Sequence, residues 1–427
     1  MAISKDKLKE VILNNKKDVE QYEIVSRDIE LDKFPLQIFV GVRRSGKSFL
    51  LYQKMRELLN DGHSWDELLY IDFEDNRLDG FTASDFNLIL ECHAELYDTR
   101  PILFFDEIQN IDGWEKYART LADKKYSVFI TGSNAKMLSQ EIMAPLGGRY
   151  LPAEVFPYGF KEFLKSNGTA YDTKSLLSTE KKVQFLKAFN EYFVWGGLPE
   201  SANLPVKRHY LSSVFQKIYI GDIALRNNIS NVRLLQLMIR KMAESVMQPI
   251  SYNRISKVLS SVGGKISVPT IANYIAHAED AWLLLRLRNI NAPLTEKEGI
   301  CKYYFIDNGI LSLLLMNAET ILLENIVALS LFRKYGHDME NERVFFFNGN
   351  VEVDFYVPED ELAVQASYRL DSTTTQYREA EALRKFAKTH TCKRRVIVTY
   401  DEERSIADEY GTIDVIPCWK WLLEIEK

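Results

Sequence analysis

Eight residues, Gly41-Val-Arg-Arg-Ser-Gly46-Lys47-Ser48, constrain this chain more than any other stretch. They fit G-x-x-x-x-G-K-[ST], a glycine loop whose backbone N–H groups curl around a phosphate. The flanks fit as well. Phe34-Pro-Leu-Gln-Ile-Phe-Val40 reads as a short buried strand, and Phe49-Leu-Leu-Tyr-Gln-Lys-Met-Arg-Glu-Leu-Leu59 reads as an amphipathic helix that Ser48 opens. Strand, loop and helix aim the positive end of the helix at a bound anion. In this reading Gly41, Arg43, Arg44, Ser45, Gly46, Lys47 and Ser48 cradle ATP, Lys47 neutralises β and γ oxygens, and the Ser48 hydroxyl ligates Mg2+. Arg43 and Arg44 fill variable positions of the pattern, open either to a partner or to solvent.

Hydrolysis needs more than a cradle, and Pro101-Ile-Leu-Phe-Phe105-Asp106-Glu107-Ile-Gln109 supplies a candidate. Its apolar run reads as a central parallel strand buried on both faces. Two carboxylates at its end fit a Walker B motif: Asp106 as the metal acid, Glu107 as the base that polarises water. A solvated acidic turn is the bland alternative. Between the motifs, Leu69-Tyr-Ile-Asp72-Phe-Glu74-Asp75 reads as a neighbouring strand, with Glu74 or Asp75 facing either phosphate or solvent. Ser127-Val-Phe-Ile-Thr131-Gly132-Ser133-Asn134 reads as the next strand. In a sheet with the Walker A and Walker B strands adjacent, Asn134 or Ser133 would sense the γ-phosphate; a simple turn cap is the alternative. Arg149, after Gly147-Gly148, is a candidate arginine finger or in-cis sensor, or else a structural loop arginine.

The bulk numbers set limits. At 427 residues the chain is too long for one ordinary core, so two to four domains are expected. A net charge of −6 argues against a globally basic nucleic-acid binder. No apolar run reaches the roughly 18 residues of a membrane span, and the start of the chain lacks an apolar signal core, so a cytoplasmic location without membrane contact is expected. Cys92, Cys301, Cys392 and Cys418 are scattered, with no metal-ligand spacing.

Taken together, Gly41–Ser48, Phe104–Gln109, Thr131–Asn134 and Gly148-Arg149, followed by Phe156-Pro-Tyr-Gly-Phe160-Lys-Glu162-Phe and Trp195-Gly196-Gly197-Leu198-Pro199, resemble a prokaryotic AAA-type ATPase. Members of that group carry a P-loop ATPase domain in front and a domain of unknown function behind. The resemblance covers nearly the whole chain and is similar in layout to archaeal-type and STAND-like ATPases. It implies ATP and Mg2+ as cofactors and says nothing of biological role.

The rest of the chain is read from its periodicity. Residues 151–233 are helical, as in Lys182-Val-Gln-Phe-Leu-Lys-Ala-Phe-Asn-Glu-Tyr-Phe193, and are expected to form a lid on the nucleotide domain. Within them, Asp222 and Arg226 read as a contact to a neighbouring element or an exposed ion pair. A winged helix is expected over 234–292: a helix capped by Ser251, a break at Gly263-Gly264, then Ser267-Val-Pro269-Thr270 and a stripe of Ile271, Tyr274, Ile275, Ala278 and Trp282. Leu283–Arg288 is the expected wing. DNA would meet the exposed Asn273 and His277. Seven Lys/Arg against three Asp/Glu is a mild excess, compatible with DNA or with a protein contact.

From 293 to 427 the elements follow a restriction-endonuclease-like order. In PD-(D/E)xK nucleases, carboxylates on a helix and two strands hold magnesium beside a lysine. Glu324 and Asp354 match, but Gln365 and Ser367 stand where Glu and Lys belong, so nuclease chemistry is expected to be lost. The expected fold is therefore α/β: a P-loop NTPase parallel sheet (1–150) with a helical lid, a winged helix, and a degenerate nuclease-like α/β domain. The expected function is ATP hydrolysis coupled to C-terminal domains that bind a protein partner, with an oligomer allowed. The alternative is an ATP-regulated DNA-binding protein with slow hydrolysis.

Overall fold

Five apolar-rich residues ahead of the glycine loop, Leu36–Val40, form strand β1, and every one is buried. A strand hidden on both faces belongs in the middle of a parallel sheet, and β1 has parallel neighbours on each side. The computed structural model describes residues 3–29, 34–138, 140–169, 171–172, 178–293, 297, 299–337, 342–370 and 373–426. The chain divides into two units, Met1–Val155 and Phe156–Lys427.

In the first unit, helix α1 (Lys5–Gln21) precedes β1, and α2 (Lys47–Asn60) follows the loop. Strand β2 (Leu68–Asp72) and helix α3 (Phe86–Leu96) come next, then β3 (Ile102–Asp106), α4 (Trp114–Asp123), β4 (Val128–Gly132), α5 (Gln140–Leu146) and β5 (Leu151–Glu154). All five strands run parallel in the order β2-β3-β4-β1-β5. The two motif-bearing strands are therefore not adjacent, contrary to the sequence expectation. Strand β4 lies between them, paired with both, which puts the side chains at its end beside each motif. Strand β5 also carries the sheet past the boundary expected at 150; its alternation is too weak to show in the sequence. Phe39, Leu50, Leu51, Met55, Phe104 and Phe129 fill the core between α2 and the sheet.

The helices expected as a lid pack within the second unit. Helix Thr179–Trp195 lies against helices Asn308–Leu314 and Glu319–Tyr335, and Asn308 Nδ2 donates to the Phe193 carbonyl at 2.8 Å. Residues 217–225 form a π-helix, in which the buried Asp222 lies 3.6 Å from Arg226. Helix Val232–Ala243 leads to β6 (Ile250–Ser251), helix Tyr252–Gly263, helix Val268–Asp280, β7 (Leu284–Leu287) and β8 (Ile300–Phe305). Ser251 and Ser267 cap these helices as their sequence promises. The segment expected as a wing is strand β7 itself, antiparallel to β8 in a sheet ordered β6-β8-β7. Beyond 342 the strands are β9 (Phe345–Asn348), β10 (Glu352–Val357), β11 (Leu362–Ala366), β12 (Arg394–Thr399), β13 (Arg404–Asp408) and β14 (Gly411–Pro417). They form a mixed sheet ordered β13-β14-β12-β11-β10-β9. Helix Thr373–Ala387 joins the parallel pair β11 and β12.

The Trp195-Gly-Gly-Leu-Pro199 element gains a physical meaning here. Gly197 N donates to Asp307 Oδ2 at 2.7 Å, and a Cβ on Gly196 would meet the same carboxylate at 2.2 Å. A Cβ on Gly197 would meet the Tyr158 carbonyl at 2.2 Å, and one on Gly309 would meet the Trp195 carbonyl at 2.2 Å. Side chains are excluded because two backbones interlock around one buried acid. Burial pushes Asp307 up to about 6, even though the Gly197, Ile310 and Gly309 amides favour its charge.

Candidate functional site

The glycine loop closes tightly. A Cβ on Gly41 would meet the Val155 carbonyl at 2.1 Å, so only glycine lets the two backbones touch. Gly46 caps α2 at φ 93°, and Arg44 also takes positive φ, at 67°. From beneath, the buried Arg27 donates to the Ser45 carbonyl at 2.8 Å. Arg43 reaches out to Glu74 at 2.9 Å, tying β2's end to the loop. Asp75 turns away to cap its own turn and pair with Arg77.

Lys47, buried, donates to the carbonyls of Gly41 and Val42 at 3.2 and 3.1 Å and lies 3.4 Å from Glu107. The Ser48 side chain hydrogen-bonds Asp106. Each of the two loop residues therefore meets one of the two acids at the end of β3. Glu107 sits at φ 49°, in the left-handed region that non-glycine residues adopt uncommonly. Its amide donates to Thr131 Oγ1 at 2.9 Å, and Thr131 Oγ1 donates to Asp106. Tyr70 donates to the other Asp106 oxygen at 2.7 Å, and Gln109 Nε2 donates to Glu107 and, at 3.4 Å, to Ser133. Thr131, Tyr70, Gln109 and Arg27 escaped the sequence reading; the one available signal was the polar residue at 131 ending an apolar strand.

These contacts split the two acids electrostatically. Burial, then the neighbouring Glu107, pushes Asp106 above the usual carboxylate range. Burial also opposes the charge on Glu107, but Lys47, Gln109 and Ser133 outweigh it and hold that carboxyl low. Adjacent carboxylates with opposite shifts suit distinct duties, one awaiting a cation and one kept as a base. Asp72, the register partner of Asp106, is pushed up to about 7 by burial and by the Asp106 charge. Ser45 Oγ is buried with no hydrogen-bond partner. That orphan, the glycine cradle and the Ser48–Asp106 donor set all fit a nucleotide phosphate with its magnesium.

Two expected site residues make other contacts. Asn134 accepts from Lys136 N at 2.9 Å, capping its own turn. Arg149 binds Asp123 at the end of α4, at 2.8 and 2.9 Å.

A second cluster lies in the second unit. Glu324, Asp354, Gln365 and Ser367 line one cleft of about 890 Å³. Gln365 accepts from Asp354 N at 2.7 Å and donates to Glu379 at 2.9 Å, while Ser367 Oγ donates to the Arg369 carbonyl. Lys302 and Glu379 are the charged members the sequence did not reveal. Among the described residues no helix is long and apolar enough to cross a membrane, and no three His, Cys, Asp or Glu side chains are close enough to hold a metal. Asn273 is exposed, whereas His277 is half-buried beside Asp280.

The AAA domain family model (AAA_14) matches residues 33–164, and a domain of unknown function (DUF8612) matches 186–320. The uncharacterized protein MJ1544 of Methanocaldococcus jannaschii is 34% identical over 97% of this chain and 94% of its own length. An uncharacterized protein of Haemophilus influenzae is 29% identical over 91% of this chain and 94% of its own. A Walker-type ATPase of Pyrococcus abyssi covers 73% of this chain and 95% of its own at 14% identity, and its TM-score of 0.42 is too low to transfer detail. This chain belongs to the AAA-type P-loop ATPases, in one family with the M. jannaschii protein, and carries a domain of unknown function behind its AAA domain.

Proposed function

We propose that the first unit hydrolyses ATP with Mg2+ and that the second unit turns nucleotide state into a change at a bound protein partner in the cytoplasm. One observation carries the chemistry: Lys47 and Ser48 of the loop meet Glu107 and Asp106 of β3 within ion-pair and hydrogen-bond reach. Lys47 holds the β and γ oxygens, and Ser48 and Asp106 hold the cation. Glu107, kept charged, accepts the proton of the attacking water. Magnesium, when bound, neutralises charge that develops between the β and γ oxygens. Thr131 and Tyr70 fix Asp106, and Gln109 fixes Glu107. Asn134 and Arg149 take no part in this assignment, given the contacts they already make.

In the second unit we assign a winged helix to 232–305 and a nuclease-like fold to the residues that follow it. The order β6-β8-β7 with three helices supports the first, and helix Glu319–Tyr335 beside the β9–β12 strands supports the second. A DNA-regulated reading has one observation in its favour: Arg254, Lys257 and Lys265 are exposed on the helix pair, while the acidic Glu279 is buried against Arg286 at 3.1 Å. Binding of a fluorescent ATP analogue to wild type, Lys47→Ala and Asp106→Asn, with and without Mg2+, tests the site. Magnesium-enhanced binding that Asp106→Asn removes is expected; equal binding by all three proteins refutes the assignment. Duplex DNA added at moderate salt separates the two readings, since only the second predicts ATP-dependent retention.

A further inference from the structure

Lys302 is a lysine with no exposed side-chain surface, and its surroundings are unusual for an ammonium. Nζ lies 3.0 Å from Asp354, 3.0 Å from Glu352 and 3.2 Å from Glu324. The three acids come from two elements: Glu324 from the helix Glu319–Tyr335, and Glu352 and Asp354 from β10. The lysine comes from a third, strand β8, with Tyr304 two residues on and therefore on the same face. Tyr304 donates to Glu324 Oε1 at 2.9 Å.

The register that puts Lys302 there is fixed by hydrogen bonds between a side chain and the β8 backbone. Asn325, next to Glu324, accepts from Phe305 N at 2.7 Å and donates to the Phe305 carbonyl at 2.9 Å. Asp354 is fixed as firmly, since its second oxygen accepts from Ala366 N at 3.0 Å. Glu352 is the adaptable member, about half exposed. Burial opposes the charge on Lys302, but Glu324, Asp354 and Glu352 outweigh it and hold the ammonium charged; Glu324, buried deepest, is itself pushed upward.

We propose that Lys302 is a resident cation seated where three carboxylates would otherwise take a divalent metal, so that the cleft of the second unit works without one. Three acids against one ammonium leave the cluster negative even with the lysine in place. Its oxygens stand 3.0–3.2 Å from Nζ, wider than the roughly 2.0–2.6 Å of magnesium or calcium coordination. Among the described residues these acids form no metal-binding group. Without the ammonium, mutual repulsion would be relieved by drawing a dication inward, with Glu352 swinging to meet it. The inference stands apart from the ATPase assignment, since every residue involved belongs to the second unit.

The test uses the full chain without nucleotide and Mn2+ as the probe, read by electron paramagnetic resonance of the free ion. Wild type, Lys302→Met, and Lys302→Met combined with Asp354→Asn are compared. Lys302→Met is expected to take up one more equivalent of Mn2+ than wild type, with at least tenfold tighter half-saturation, and the added Asp354→Asn is expected to remove the gain. A folded Lys302→Met that binds no more Mn2+ than wild type overturns the proposal. Should Lys302→Met fail to fold, Lys302→Met with Glu324→Gln lowers the uncompensated charge and is held to the same criterion. The wild-type arm stands by itself: Mn2+ uptake by wild type that Asp354→Asn abolishes also overturns the proposal.

Discussion

The ammonium of Lys47 lies 3.4 Å from the carboxylate of Glu107, a contact between the loop after β1 and the end of β3 that bridges the intervening strand β4. Lys47 helps to hold Glu107 in its charged form, so the base is set before substrate arrives. Lys47→Met should weaken nucleotide binding by about 10–100-fold, on the order of 1–3 kcal/mol for a lost charge-assisted contact. Calorimetric titration with ATP checks this, and undiminished affinity would remove Lys47 from the site.

Thr131 links both acids through one hydroxyl, donating to Asp106 and accepting from Glu107 N. Thr131→Val keeps the shape and deletes both bonds. Residues that orient a ligand or base from behind are commonly worth about 10–100-fold in activity, and steady-state hydrolysis should fall by that factor with the fold intact. Tyr70→Phe, which deletes one bond to Asp106, should fall less.

Asp72 gives the stability of the first unit a pH dependence. Its proton is held up to about 7 in the folded chain against an ordinary value of 3.8, by burial and then by Asp106. Between those values the folded state binds more protons than the unfolded one, so stability falls as pH rises through the window. Asp72→Asn removes that fall. Relative to wild type it should gain on the order of 1–3 kcal/mol at pH 8 and little at pH 4, a smaller gain than the full shift implies because the group is partly solvated. Urea titrations at the two pH values measure it; an equal gain at both would dissociate the effect from the carboxyl.

The two glycines flanking the Asp307 junction should be intolerant. Gly197→Ala drives a methyl group to 2.2 Å from the Tyr158 carbonyl, and backbone must shift. A loss of about 1–3 kcal/mol or more is expected from such overpacking. Gly221→Ala is the control: its methyl meets only the flexible Lys217 chain at 3.7 Å, in helical backbone, where alanine is about 0.5–1 kcal/mol better than glycine. Denaturant midpoints of opposite sign are the expected result.

Local patterns carried much of this site in the sequence. Gly41–Ser48 and Asp106-Glu107 are legible because phosphate cradles and strand-end acids are contiguous in the chain. Thr131, Tyr70 and Gln109 are not, since their roles arise from hydrogen bonds across strands, and the insertion of β4 between β1 and β3 leaves no local trace. The Trp195-Gly-Gly-Leu-Pro199 element was visible but opaque until Asp307, more than a hundred residues away, was found inside it. Lys302 was hidden for a different reason: a lysine in an apolar strand reads as a solvent-facing position, and only its three acidic neighbours explain its burial.

The central claim is that Glu107 is the base for ATP hydrolysis at a site Lys47 assembles. The most direct measurement is single-turnover hydrolysis by Glu107→Gln beside wild type, with ATP binding measured on the same samples. The account predicts that Glu107→Gln binds Mg-ATP at least as well as wild type and hydrolyses it at least about 100-fold more slowly, within the range general-base catalysis supplies. Hydrolysis by Glu107→Gln at the wild-type rate would contradict it.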